Sequence, residues 1–274
     1  MIRSRKTIRL TLATCALVSL AQSTEAAAVG DVPNAVPPDV ATVVEGNTAF
    51  ALDFYARLKD QEGNLFFSPY SISTALAMTY AGARGETERQ MAEVLRFTQG
   101  QESLHPSMGK LVESLKAPKD ARYQLHVANR LWGERAYDFR KEFLELTQRQ
   151  YGAGLEPVDF ANAWETARQT INAWIESQTE HRIKDLLAPD VVTRATALVL
   201  TNAIYFKGDW VRQFDAGATQ NAPFHVAPVR SVEAPLMYQE AKFRHFDGDG
   251  LAALEMPYAG DRLSMVVLLP DEVN

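Results

Sequence analysis

Apolar residues recur at helical spacing through the first part of the chain. Phe50, Phe54 and Leu58 follow one another every four residues, which predicts an amphipathic helix that ends at a turn near Gly63. Ser68 and Pro69 suit the N-cap and first position of a second helix, predicted over 69–81. Two further helices are predicted over 88–95, where Thr87 and Gln90 form a capping box, and over 139–151.

Another helix is predicted from Asn162 onward, with Asn162 and Glu165 as its cap. Its apolar stripe consists of Trp164, Ile171, Trp174 and Ile175.

Strand patterns dominate the later part of the chain. Residues 123–131 alternate apolar and polar side chains, and the apolar run 197–206 predicts a buried central strand. Beyond Trp210, short strands are predicted over 224–226, 242–246, 251–256 and 263–269. Helices precede strands without βαβ alternation, so the sequence predicts an α+β fold built on antiparallel sheet.

The first residues have the pattern of an export signal. Four basic side chains precede the apolar run 10–21, and Ala26, Ala27 and Ala28 offer a cleavage site. This pattern predicts a secretory signal peptide over 1–28; the alternative is an N-terminal amphipathic helix, which the absence of an interleaved polar face disfavours. Residues 29–43, with three prolines, are predicted to be a flexible leader, and the folded domain to span 44–274. The expected location is extracellular, with the periplasm as an alternative.

Charge and cysteine content narrow the function classes. Cys15, the only cysteine, lies in the predicted signal, so the mature chain would have no disulfide and no thiol ligand or nucleophile. Without residues 1–28 the chain keeps 24 basic and 33 acidic side chains, and no dense basic run. Nucleic acid and anionic membranes are therefore not expected as partners.

Familiar catalytic and cofactor motifs are absent from the sequence. The five histidines show no zinc-binding spacing, and there is no nucleophile elbow or phosphate-binding loop. Gly248 and Gly250 resemble part of a dinucleotide fingerprint, but Pro257 follows too soon for a helix, so a hairpin turn is predicted. We therefore expect no metal, no cofactor and no enzyme activity; a carboxylate pair of a secreted hydrolase stays as a distant alternative.

Several motifs resemble those of the serpins, a family of protease inhibitors. They occur in the serpin order over 44–274. The matching segments are Asn64–Met78 with Ala81–Thr87, Asn129–Trp132, Val158–Phe160, Ile171–Trp174, Thr201–Trp210 with Phe214–Asp215, Leu254–Tyr258 and Leu263–Glu272. The resemblance implies the serpin fold, with helices around a large main sheet.

The resemblance also implies conformational-control residues. Asn202 falls on the strand face of Leu198 and Leu200, where a carboxamide needs hydrogen-bond partners. In serpins this asparagine meets serines of the second helix in a cluster called the shutter, which implies that role for Ser68, Ser71 and Asn202. Ser68 also suits a plain N-cap. Trp210 matches the tryptophan of the breach, at the upper end of the sheet, although ordinary core packing would explain it equally well.

Serpins inhibit serine or cysteine proteases as suicide substrates. The protease acylates at an exposed reactive loop, which then inserts into the main sheet. The resemblance places that loop after Asn274, so the 274 residues are expected to be an incomplete, inactive serpin domain that lacks the C-terminal strands, whereas a full-length form would be a monomeric inhibitor. A non-inhibitory serpin acting as a binding or storage module is the alternative. One departure concerns His181, which stands where serpins usually have glycine and implies a different or a mildly strained exit from the helix.

Overall fold

The structure, a computed structural model, describes residues 37–271 except Lys119 and Pro228. The predicted signal peptide over 1–28 and the first part of the predicted leader lie outside the described residues. The described chain divides into two compact units, 37–207 and 208–271.

Six helices belong to the first unit as described. They are α1 (Pro38–Leu58), α2 (Pro69–Tyr80), α3 (Gly85–Val94), α4 (Gln101–Ser114), α5 (Lys141–Tyr151) and α6 (Phe160–Gln178). The helix predicted over 69–81 is confirmed within one residue, and Ser68 is its N-cap.

The leader predicted over 29–43 is wrong for its last residues, because α1 begins at Pro38. Proline is tolerated in the first turn of a helix, where its missing N–H has no intrahelical partner to lose. Val40 and Val43 are buried in the same cluster as Leu104 of α4. The Lys110 ammonium of α4 lies 2.5 Å from the Asp39 carboxylate. These contacts with a distant helix outweigh the low local helix signal of a proline-rich stretch.

Two predicted caps are also corrected. Helix α3 begins at Gly85 rather than at residue 88, and no side chain caps it. Helix α6 is capped by Asp159, whose Oδ1 accepts from the Asn162 N–H at 2.9 Å, so Asn162 is a donor rather than the cap. Glu165 instead accepts two hydrogen bonds from Arg168.

The sheet of the first unit contains β1 (Tyr123–Glu134), β2 (Gly154–Val158) and β3 (Leu198–Gly208), in the order β2-β1-β3. Strands β1 and β2 are parallel, with α5 as the connection between them. The expectation of no βαβ unit is therefore wrong at this place. A parallel neighbour requires such a crossover, and the short β2, with Gly154 and Pro157, has too little β-propensity to be recognised from its sequence.

Hydrophobic cores cover both faces of this sheet. Leu131 of β1 belongs to a core shared with α2, α4 and α5, whereas the next residue, Trp132, belongs to a core shared with α6. Leu198 and Leu200 of β3 pack on the first core, and Val199 and Ala203 on the second. Asn202 shares the side of Leu198 and Leu200, as the alternation in the sequence predicts.

The second unit consists of two small antiparallel sheets. Strands β4 (Gln220–Ala227) and β5 (Arg230–Leu236) form one, and β6 (Arg244–Gly248), β7 (Leu251–Pro257) and β8 (Ser264–Pro270) form the other. Asp249 and Gly250, both with positive φ, connect β6 to β7. The predicted hairpin turn is therefore confirmed, and no helix follows these glycines.

Helix α6 ends in a left-handed turn. Glu180 and His181 have φ values of 49° and 58°, and the His181 N–H donates to the Glu176 carbonyl at 2.9 Å. Non-glycine residues adopt this conformation at a cost, so of the two exits that His181 implies, the structure has the mildly strained one.

Replacing His181 by glycine should relieve this strain. We expect His181→Gly to be more stable than His181→Ala by about 1 kcal/mol, because both variants lose the 3.2 Å contact of His181 with Glu176 but only glycine tolerates positive φ. Urea unfolding followed by circular dichroism measures the difference. Equal stability of the two variants would contradict the assignment of strain to this residue.

Candidate functional site

Ser68 acts as a helix cap in this structure. Its Oγ accepts a hydrogen bond from the Ser71 N–H at 3.2 Å, which satisfies one of the free donors in the first turn of α2. Among the described hydrogen bonds, none joins Ser68 to Asn202. The geometry therefore connects Ser68 to the predicted shutter only through Ser71.

Ser71 and Asn202 meet directly, as the resemblance implies. The Ser71 Oγ donates to the Asn202 Oδ1, which joins α2 to β3. The Asn202 Nδ2 in turn donates to the Asn129 Oδ1 at 2.6 Å, which joins β3 to β1. The two polar atoms of the Asn202 amide are thus both satisfied at the side of the sheet that packs on the first core.

Asn129 extends this contact into a polar cluster, by which we mean Ser71, Asn202, Asn129, Tyr151 and His105. Asn129 is buried, and its Nδ2 donates to the Tyr151 carbonyl at 3.0 Å. The Tyr151 hydroxyl lies 2.6 Å from the His105 Nδ1. A continuous set of hydrogen bonds therefore connects α2, β3, β1, α5 and α4.

Asn129, Tyr151 and His105 are members of the site that the sequence motifs do not indicate. A signal existed for Asn129, which interrupts the inward-facing series of its strand between Val127 and Leu131, as Asn202 does in β3. No comparable signal exists for His105, because its helix α4 contains Pro106 and was not predicted.

The polar cluster is electrically neutral at pH 7. His105 is only 1% exposed, and its Nε2 has no hydrogen-bond partner among the described residues. Burial, assisted by the charge of Arg84, lowers the pKa of His105 to about 4. Burial also raises the pKa of Tyr151 above its usual range. The cluster thus contains hydrogen-bonded neutral groups, an arrangement that holds elements in register rather than one that transfers protons at neutral pH.

A second set of hydrogen bonds holds β3 from its other face. The Trp132 Nε1 donates to the Thr201 Oγ1 at 3.0 Å, and this hydroxyl donates to the Arg130 carbonyl at 3.2 Å. Thr201 and Trp132 are both buried. Thr201 and Asn202 are neighbours in β3, so their side chains lie on opposite faces of the sheet. Hydrogen bonds on both faces therefore connect β3 to β1.

Trp210 lies in the second unit, where it packs on Tyr258, the residue that follows β7. Its ring stacks on that of Tyr258 with centroids 4.3 Å apart and planes 15° apart, and Phe214 meets its edge. Backbone pairing between Trp210 and Tyr258 fixes the same contact. The packing explanation for Trp210 is therefore supported, whereas its breach role stays a prediction.

Within residues 37–271, apart from 119 and 228, no three histidine, cysteine or acidic side chains are grouped to hold a metal ion. Over the same residues, none of the helices has the length and apolar character needed to cross a bilayer.

Comparison with known proteins identifies the family. The family model described as serpin (serine protease inhibitor) matches residues 45–274. The leukocyte elastase inhibitor of Homo sapiens is 45% identical over 232 residues, which cover 83% of this chain and 61% of that protein. An uncharacterised serpin-like protein of Thermococcus kodakarensis is 42% identical over 231 residues, covering 84% of this chain and 53% of that protein.

Solved structures agree on the fold. Emu ovalbumin matches with a TM-score of 0.81 and 35% identity, covering 84% of this chain and 64% of its own. An uncleaved ovalbumin matches with a TM-score of 0.76 and 38% identity, covering 83% and 62%. The α+β serpin fold inferred from the motifs is therefore confirmed. The chain spans 61% of the length of the first curated relatives, and it belongs to the serpin family.

Proposed function

We propose that the protein containing this chain inhibits serine-type proteases, elastase-like enzymes among them, by inserting its cleaved reactive loop into the main sheet. The observation that carries the proposal is the 45% identity to a human protein named leukocyte elastase inhibitor. The proposal makes the protein a suicide substrate of its target rather than an enzyme with turnover of its own.

The sheet of the first unit supports this mechanism. Among the described residues, strand β3 has β1 on one side and is the last strand in the order β2-β1-β3. On its other side its backbone donors and acceptors are the groups with which an added strand would pair. In the proposed mechanism the cleaved loop pairs with β3, and the new backbone hydrogen bonds drive the insertion.

The polar cluster would control this step. Ser71, Asn202 and Asn129 connect β3 to α2 and β1, so β3 cannot shift relative to α2 without breaking hydrogen bonds between buried or half-buried groups. This is the role proposed for Ser68, Ser71 and Asn202, with Ser68 acting through the first turn of α2 that it caps. The role of Trp210 at the breach is proposed on the resemblance alone.

Formation of a covalent complex tests the function. The protein extended to include the reactive loop expected after Asn274 should form a complex with elastase that survives boiling in SDS. The same elastase with its catalytic serine sulfonylated should form none, because the complex is an acyl-enzyme. The 274-residue chain without that loop should also form none. Cleavage of the extended protein without a complex would contradict inhibition and favour the non-inhibitory binding or storage module.

Export is proposed as well, on the basic start, the apolar run 10–21 and the small residues before Val29. The protein would then act outside the cytoplasm, in the extracellular space or periplasm. Mass spectrometry of the protein from culture medium and cell fractions tests this. A mature N-terminus at Val29 outside the cytoplasm is the expected result, and a retained Met1 in the cytoplasmic fraction would contradict it.

A further inference from the structure

The second unit contains a half-open groove of about 420 Å³. Its residues come from the segment after β3, from the approach to β6, and from the β7–β8 hairpin. The apolar part of the lining consists mainly of Trp210, Phe243, Met256 and Leu263, of which Met256 is buried. The volume of this groove falls in the range of small-molecule sites, and its lining combines apolar with charged side chains.

Basic side chains are concentrated at this groove. Residues 208–271 contain five basic and nine acidic side chains, so the unit as a whole is acidic. Four of the five basic residues nevertheless line the groove, with only two of the acids beside them. The basic four are Arg212, Lys242, Arg244 and Arg262, and the two acids are Glu255 and Asp261. The local charge is therefore opposite in sign to that of the surrounding unit.

Two of these cations have no acidic partner in the described part of the chain. Arg244 lies 3.5 Å from Glu255 and is partly neutralised by it. Arg212 and Lys242 are exposed and form no ion pair with any described residue. Both residues line the groove, where the guanidinium offers an anionic group a planar pair of donors and the ammonium offers a compact positive charge.

We propose that this groove binds a small amphiphilic anion, with a carboxylate or sulfonate held by Arg212 and Lys242 and an aromatic or aliphatic body against Trp210 and Phe243. The charge excess at the groove argues against a neutral ligand. The aromatic side chains of Trp210 and Phe243 beside these cations favour a ligand with an apolar body over a bare inorganic anion, which would leave them without a contact. The inference does not depend on protease inhibition.

The test measures binding of anilinonaphthalene sulfonate, which combines an aromatic body with one sulfonate. Fluorescence titration gives its dissociation constant for the purified protein and for two variants. Arg212→Gln/Lys242→Gln is expected to bind at least tenfold more weakly. Arg230→Gln, which alters the one basic residue of the unit outside the groove, is expected to bind like the parent protein. The affinity of the parent protein for the probe should fall as the sodium chloride concentration is raised, because the contact is electrostatic.

Two results would overturn the proposal. Equal affinity in the double variant and in Arg230→Gln would show that the probe binds exposed apolar surface elsewhere. The second result is that the parent protein cosediments with anionic phospholipid vesicles, that the double variant does not, and that the parent does not bind the soluble sulfonate. This result would assign the cations to a membrane surface instead. Circular dichroism of both variants checks that the fold is retained, since all three altered side chains are exposed.

Discussion

Replacing Asn202 by leucine is expected to lower the free energy of unfolding by about 3 kcal/mol. Leucine has the same branched side-chain skeleton as asparagine, with a larger volume and no polar atom, so the Ser71 hydroxyl and the Asn129 Oδ1 both lose the partner that they have in the structure. Asn129 is buried, and an unsatisfied buried acceptor retains its desolvation cost without compensation. Urea unfolding of the purified protein, monitored by tryptophan fluorescence, measures the change.

Lys207→Leu is the matched control, because it introduces the same side chain at an exposed position of the same strand. We expect it to change stability by less than about 0.5 kcal/mol. A double-mutant cycle between Ser71→Ala and Asn202→Ala should give a coupling free energy of about 1 kcal/mol or more. Additive effects of these two changes would show that the contact between α2 and β3 contributes nothing to stability.

His105 should make the protein sensitive to mild acid. Its pKa in the folded state is about 4, below the ordinary histidine value of 6.5, so the unfolded chain binds the proton more readily between these values. Stability contributed by the neutral, buried imidazole is therefore complete above pH 6.5 and falls as the pH is lowered towards 4. The expected loss is about 2 kcal/mol between pH 7 and pH 5, at up to about 1.4 kcal/mol per pH unit.

Substitution of His105 by glutamine should flatten this dependence. His105→Gln is expected to be less stable than the parent at pH 7, because the 2.6 Å contact with Tyr151 is disturbed, but its stability should be almost constant from pH 7 to pH 5. His126→Gln, at an exposed position of β1, should keep the slope of the parent protein. The window above pH 5 avoids the titration of Glu165 and Glu176, whose pKa values are lowered by Arg168 and by His181 respectively. A parent protein with no slope in this window would refute the assignment.

Features that depend on neighbouring residues were predictable from the sequence. The Ser68 cap and the Asp249–Gly250 turn need only local backbone geometry, and the inward position of Asn202 follows from strand alternation. Contacts between distant segments were not predictable in the same way. Asn129 and Asn202 are 73 positions apart, and His105 and Tyr151 are 46 apart, so no periodicity connects either pair.

Propensity failed where tertiary contacts determine the element. Helix α1 includes Pro38 because Val40 and Val43 are buried in the core shared with α4. Helix α4 forms despite Pro106, with Leu104 and Met108 buried on the same core. The contact between Ser71 and Asn202 could be expected only from the resemblance to serpins. Motifs shared by a family reflect contacts between distant segments, whereas hydrophobic periodicity reports only on local structure.

The distance along the chain between Ser71 and Asn202, 131 positions, has a kinetic consequence. Strands β1 and β2 are connected through α5 by a short crossover, so they can pair early, whereas β3 must close a much longer loop before its contacts form. Interactions that form after the rate-limiting step slow unfolding without accelerating folding. The hydrogen bonds of Asn202 would therefore mainly lower the rate at which β3 detaches from the folded molecule. They would lengthen the lifetime of the folded form more than they would raise the rate of folding.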